Sequence, residues 1–144
     1  MKIVIANDHG AVALKFKLVQ WLKDQGHEVV NLGVDAEDRV DYPDQAGLAV
    51  REFEKGGYDF GIVCCGTGIG ISIAANKYKG IRCALVHDSY TARMAKEHNN
   101  ANFVAFGGRV EYAEPVEHVL DVFMTANFEG GRHATRVAKL DALC

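Results

Sequence analysis

The chain has 144 residues, of which 49% are hydrophobic and only two are proline, enough apolar material for one globular domain over residues 1–144 that folds without covalent or metal staples. A net charge of -3 offers no electrostatic reason to expect nucleic acid or an anionic membrane as partner, so an anionic substrate would need locally clustered base. No apolar stretch approaches the ~20 residues of a membrane helix, and the amino terminus has neither a charged n-region nor a cleavage site, which together predict a cytoplasmic protein.

Short apolar runs alternate with amphipathic segments along the chain, the pattern of βα units around a parallel sheet. Five strands are predicted: Lys2 to Ala6, Glu28 to Leu32, Phe60 to Cys64, Arg82 to Val86 and Asn102 to Phe106. Leu14, Leu18, Trp21 and Leu22 make the core stripe of the first helix, and Gly26 stands where its C-terminal stop belongs. A second helix starts near Pro43, a third at the glycine loop near Gly68, and a fourth after Asp88 or Ser89, either of which suits an N-cap. The fifth carries Val116, Val119, Leu120 and Phe123. The last sets His133, Val137 and Leu140 on one face and Arg132, Arg136 and Lys139 on another, which supplies the clustered base. The expected architecture is a three-layer αβα sandwich with a five-stranded, parallel, Rossmann-like sheet, and its site should lie beyond the carboxyl ends of the strands.

At those ends stand Asn7-Asp8-His9-Gly10 and Cys65-Gly66-Thr67-Gly68-Ile69-Gly70. A glycine loop that opens a helix lets backbone N–H groups approach a phosphate or a developing oxyanion; its bland reading is a tight turn. Ile71-Ser72 follows where a nucleotide-hydrolysing loop needs Lys-Ser or Lys-Thr, and Ile71 also occupies the arginine position of a cysteine phosphatase loop. The first strand-helix turn lacks the glycines of a dinucleotide fingerprint. Cys65 precedes a helix N-terminus, whose positive potential favours a thiolate; the alternative is a small buried side chain, the reading given to Cys64 on the opposite face. His98 closes the fourth helix, as a dipole partner or as an acid-base group. Arg132 and Arg136 are either a solvated face or a bidentate phosphate grip. The cysteines at 64, 65, 83 and 144 form no CxxC pair, and the six histidines no HxxxH or HxH pair, so no metal site is expected.

These blocks, with Val40-Asp41-Tyr42-Pro43-Asp44, His98-Asn99-Asn100-Ala101-Asn102, Gly107-Gly108-Arg109-Val110 and Gly130-Gly131-Arg132-His133, resemble the type B ribose-5-phosphate isomerase family, which includes allose- and galactose-6-phosphate isomerases. The resemblance implies isomerisation of ribose 5-phosphate and ribulose 5-phosphate through an enediolate, with Cys65 as base and no cofactor. It implies an anion hole from Gly66, Thr67, Gly68 and Gly70, ring opening by His98, phosphate binding by His9, Arg109, Arg132, Arg136 and His133, and orientation of hydroxyls by Asp8, Tyr42 and Asn99. It also implies a homodimer or dimer of dimers with shared active sites and the C-terminal helix packed on the partner. A hexose 6-phosphate isomerase would use the same apparatus. A non-catalytic phosphosugar-binding module is the competing reading, against which Cys65, Thr67 and His98 together argue.

Overall fold

The computed structural model describes residues 1–143. Its strands are β1 (Lys2–Asn7), β2 (Glu28–Asn31), β3 (Phe60–Cys65), β4 (Cys83–Leu85) and β5 (Phe103–Gly107). The helices are α1 (Val12–Asp24), α2 (Tyr42–Phe53), α3 (Ile69–Ala75), α4 (Ser89–Glu97), α5 (Val116–Thr125) and α6 (Arg132–Asp141), with one 3-10 turn, His9–Ala11, between β1 and α1. The sheet is parallel throughout in the order β2-β1-β3-β5-β4. Chain direction across the sheet reverses between β1 and β3, and ligands of such sheets bind outside the strand ends at that reversal.

Both faces of the sheet are covered, so the central strands are apolar in runs rather than on alternate residues, β1 carrying polar residues only at its two ends, Lys2 and Asn7. One face packs Ile3, Ile5, Ile62, Cys64 and Phe106 against Leu18 and Leu22 of α1, Ala92 of α4 and Val119, Leu120 and Phe123 of α5. The other packs Val4, Val63, Cys65, Phe103 and Ala105 against Ala46 and Val50 of α2 and Ile71 and Ala75 of α3. Alternation along β3 thus separates the two adjacent cysteines. Burial pushes the thiols of Cys64 and Cys83 well above the ordinary cysteine range, which leaves both as small apolar side chains.

The three central strands each run one residue further than the sequence pattern predicts, making Asn7, Cys65 and Gly107 their last residues. β4 is shorter than Arg82 to Val86, because the Arg82 amide donates to the Asn102 side chain at 2.8 Å instead of joining the ladder. Asp88, not Ser89, caps α4, accepting the Thr91 N–H at 2.7 Å in a reciprocal capping box. Leu140 is 44% exposed and leaves the inward face of α6 to His133 and Val137. Among the described residues no helix is long and apolar enough to cross a membrane.

Candidate active site

The β1 and β3 ends meet through backbone. A Cβ at Gly10 would lie 2.7 Å from the Gly66 nitrogen, so only glycine lets the Asp8–Gly10 turn rest on the loop after β3. Buried Asp8 sets that turn by accepting the Gly10 N–H at 2.8 Å. His9 is half-buried, and its Nδ1 accepts the Val40 amide at 3.4 Å, which ties it to the loop before α2. Arg109 follows β5; its amide donates to the Gly66 carbonyl at 2.9 Å, and its side chain lies 3.5 Å from where a Gly66 Cβ would stand. Across the loop, the Tyr42 ring comes within 2.7 Å of a Cβ built on Gly70.

Cys65 lies under this arch. Its side chain is 4% exposed, and Sγ accepts the Gly68 N–H at 3.1 Å. The turn needs Gly68 at φ 78°, a left-handed conformation costly for residues with a Cβ. Exposed Thr67 accepts the Ile69 amide at 3.3 Å through Oγ1. Beside the arch a cleft of about 660 Å³ is lined by His9, Arg109, Glu37 and Arg39 among others. Glu37 and Arg39 were not anticipated; the only trace of them in the sequence is the charged Glu37-Asp38-Arg39 run before Val40.

A second polar cluster forms where α4 ends and α6 begins. The His98 and His133 rings stack with centroids 4.1 Å apart and planes inclined by 9°. Glu129 Oε2 is 3.4 Å from His133 Nε2, a buried nitrogen with no hydrogen-bond partner. The His133 imidazolium is disfavoured, first by burial, then by His98 and Arg132, while Glu129 acts in the opposite sense. Arg132 and Arg136 are exposed, as is Asn99, whose carbonyl accepts the Arg82 Nε–H at 3.2 Å. Ligand atoms of His98, Glu129 and His133 lie within 4.8 Å of one another. The lone pairs of an imidazole lie in its plane, so two stacked, parallel rings do not converge on one cation.

Topology puts the two clusters at opposite ends of the strands. Helix α4 leaves the carboxyl end of β4 and returns to the amino end, where Asn102 accepts the Gly61 N–H and Arg82 contacts Asn99 and Asn100. Cys65 is in register with Gly107, four residues beyond the Gly61–Phe103 pair, a separation of roughly 13 Å at the usual strand rise. One chain therefore gathers Asp8, His9, Tyr42, Cys65 to Gly70 and Arg109 in one place. It gathers His98, Asn99, Arg132, His133 and Arg136 in another.

The family model described as Ribose/Galactose Isomerase matches residues 3–140. The chain belongs to the ribose/galactose isomerase family. Family membership makes it an aldose–ketose isomerase. The ribose-5-phosphate isomerase B structure from Clostridium thermocellum superposes with a TM-score of 0.95 at 47% identity, covering 99% of this chain and 97% of that one. Ribose-5-phosphate isomerase B of Escherichia coli is 40% identical over 142 residues, 99% of this chain and 95% of its own. The family is mixed in substrate: the galactose-6-phosphate isomerase subunit LacB of Clostridium acetobutylicum is 41% identical over 139 residues, 96% of this chain and 80% of its own.

Proposed function

We propose that this isomerase interconverts ribose 5-phosphate and ribulose 5-phosphate with Cys65 as the carbon base. The observation that carries the proposal is the sulfur at the end of β3, accepting the Gly68 amide beneath the glycine turn. An N–H donated to sulfur stabilises the thiolate. The thiolate removes the proton from C2 of the open aldose, and negative charge develops on O1. The O2 hydroxyl proton passes to O1 and the carbon proton returns to C1, leaving the ketone at C2. Thr67 and the amides of Gly66 and Gly70 serve as the anion hole for the enediolate; the Gly68 amide serves the sulfur instead.

His98 protonates the ring oxygen to open the furanose, His9, Arg109, Arg132 and Arg136 hold phosphate, Asp8, Tyr42 and Asn99 orient hydroxyls, and His133, only 4% exposed and stacked on His98, supports that ring instead of reaching the phosphate. A general acid has to lie within about 3 Å of its target, while one chain keeps His98 and Cys65 at opposite ends of the strands. The complete site is therefore built from two copies, one giving the Cys65 arch and the other the His98 cluster with α6. Phosphorylated sugars do not cross bilayers unaided, so the reaction belongs in the cytoplasm.

Replacing the base tests this directly. Cys65→Ala should lose about 10²- to 10⁴-fold in kcat while calorimetry still detects ribose 5-phosphate binding; undiminished turnover would remove Cys65 from the chemistry. The LacB relative favours one second reading, a hexose 6-phosphate isomerase. Parallel assays of ribose, allose and galactose phosphates, read as kcat/KM, choose between them.

A further inference from the structure

We propose that Glu129 is a positioning residue for ring opening: through His133 it fixes the plane and proton of the stacked imidazole pair that contains His98. The proposal rests on the reading of His98 as the ring-opening acid. His133 Nε2 is sealed from solvent and has no hydrogen-bond partner, an arrangement that is costly if left so. The Glu129 carboxylate, 3.4 Å away, needs only a small rotation to accept that N–H. Its position is imposed by backbone, since the Glu129 N–H donates to the Glu97 carbonyl at 3.0 Å in the last turn of α4, one residue before His98.

Two imidazoles stacked at 4.1 Å cannot both carry a proton without strong repulsion. The charged groups acting on His133 are His98 from α4, Glu129 from the preceding turn and Arg132 and Arg136 from α6 itself. Burial, then His98, Arg132 and Arg136, disfavour the His133 imidazolium, and His98 is the half-exposed member of the pair, open to an incoming sugar. Glu129 is the one anion among them. Its charge favours the His133 imidazolium, and its oxygen holds the His133 ring, and with it the stacked His98 ring, in one orientation.

The ring step can be separated from carbon chemistry, because ribulose 5-phosphate has O5 blocked by phosphate and stays open. Turnover of ribose 5-phosphate reads both steps, whereas exchange of solvent deuterium into C1 of ribulose 5-phosphate reads the proton transfer alone. With the intact protein, Glu129→Ala should lower kcat for ribose 5-phosphate by about three- to tenfold and leave deuterium exchange unchanged. Glu129→Gln keeps an oxygen acceptor without the charge. It should retain more turnover than Glu129→Ala, and its alkaline loss of turnover should begin at lower pH. Equal losses in both assays, or a pH profile unmoved in Glu129→Gln, would overturn the proposal. His98→Asn is the control for the underlying reading: if ribose 5-phosphate turnover survives that change, the ring-opening role of His98 fails, independently of the exchange data for Glu129.

Discussion

Lys15 shows how far a single residue can depart from its usual place. Its side chain is fully buried, and Nζ donates to the Leu32 carbonyl at 3.1 Å, the Val34 carbonyl at 2.8 Å and Asp35 Oδ1 at 2.6 Å. Asp35 is 69% exposed, so the ion pair itself is well screened and contributes little; the two carbonyls matter more. They belong to the segment whose Val40 reaches His9. Lys15→Met keeps the aliphatic bulk and removes the donor, leaving two half-buried carbonyls without it at a cost of about 1 kcal/mol. The expected result is a Tm lower by several degrees, faster amide exchange at Val34 and Val40, and a raised KM at normal kcat. An unchanged Tm would refute the clamp. Nothing in the sequence singles out Lys15, because the apolar stripe of α1 gives helical spacing but not which lysine finds carbonyls opposite it. Leu18 and Leu22, by contrast, were legible from that stripe and are fully buried.

Among the elements, α4 depends on a charge at its start and presents histidine at its end. Its cap, Asp88, accepts both the Thr91 amide and the Thr91 hydroxyl. The backbone bond, then the side-chain bond, hold the Asp88 carboxyl below the ordinary carboxylate range. A carboxyl depressed in the folded state adds stability above its unfolded pKa, about 3.9, and that contribution disappears as pH falls through the depressed value. Asn caps helices as well as Asp, so Asp88→Asn removes the charge and keeps the acceptor. The variant should melt below the parent protein at neutral pH, with the gap closing on acidification below about pH 4. A gap independent of pH would assign the contribution to shape alone. The five strands and six α-helices of the described residues were legible from periodicity and punctuation, since buried apolar runs and glycine stops are local signals, whereas the 3-10 turn His9–Ala11 was not. The strand ends were not: whether Asn7, Cys65 and Gly107 join the ladder depends on partners far away in sequence.

For the whole molecule, the decisive fact is that strands and returning helices point in opposite directions. Motif matching could name Cys65 and His98 together, but a linear motif carries no information about which end of the strands each residue reaches. The structure separates them by the depth of the sheet, and likewise brings His98, Glu129 and His133 together, although no HxxxH or HxH spacing marks them in the sequence. If two copies complete each site, complementation follows. In a mixed dimer of Cys65→Ala and His98→Asn, one site combines both defects and the other combines Cys65 of one copy with His98 of the other. Random reassociation of equal amounts makes half the dimers mixed, each with one intact site of two, so about a quarter of the parent activity should return from two inactive variants. The measurement is ribose 5-phosphate turnover after mixing the variants in mild denaturant and removing it. Were both groups to act within one chain, every dimer in the mixture would lack a complete site and activity would stay at the level of the separate variants.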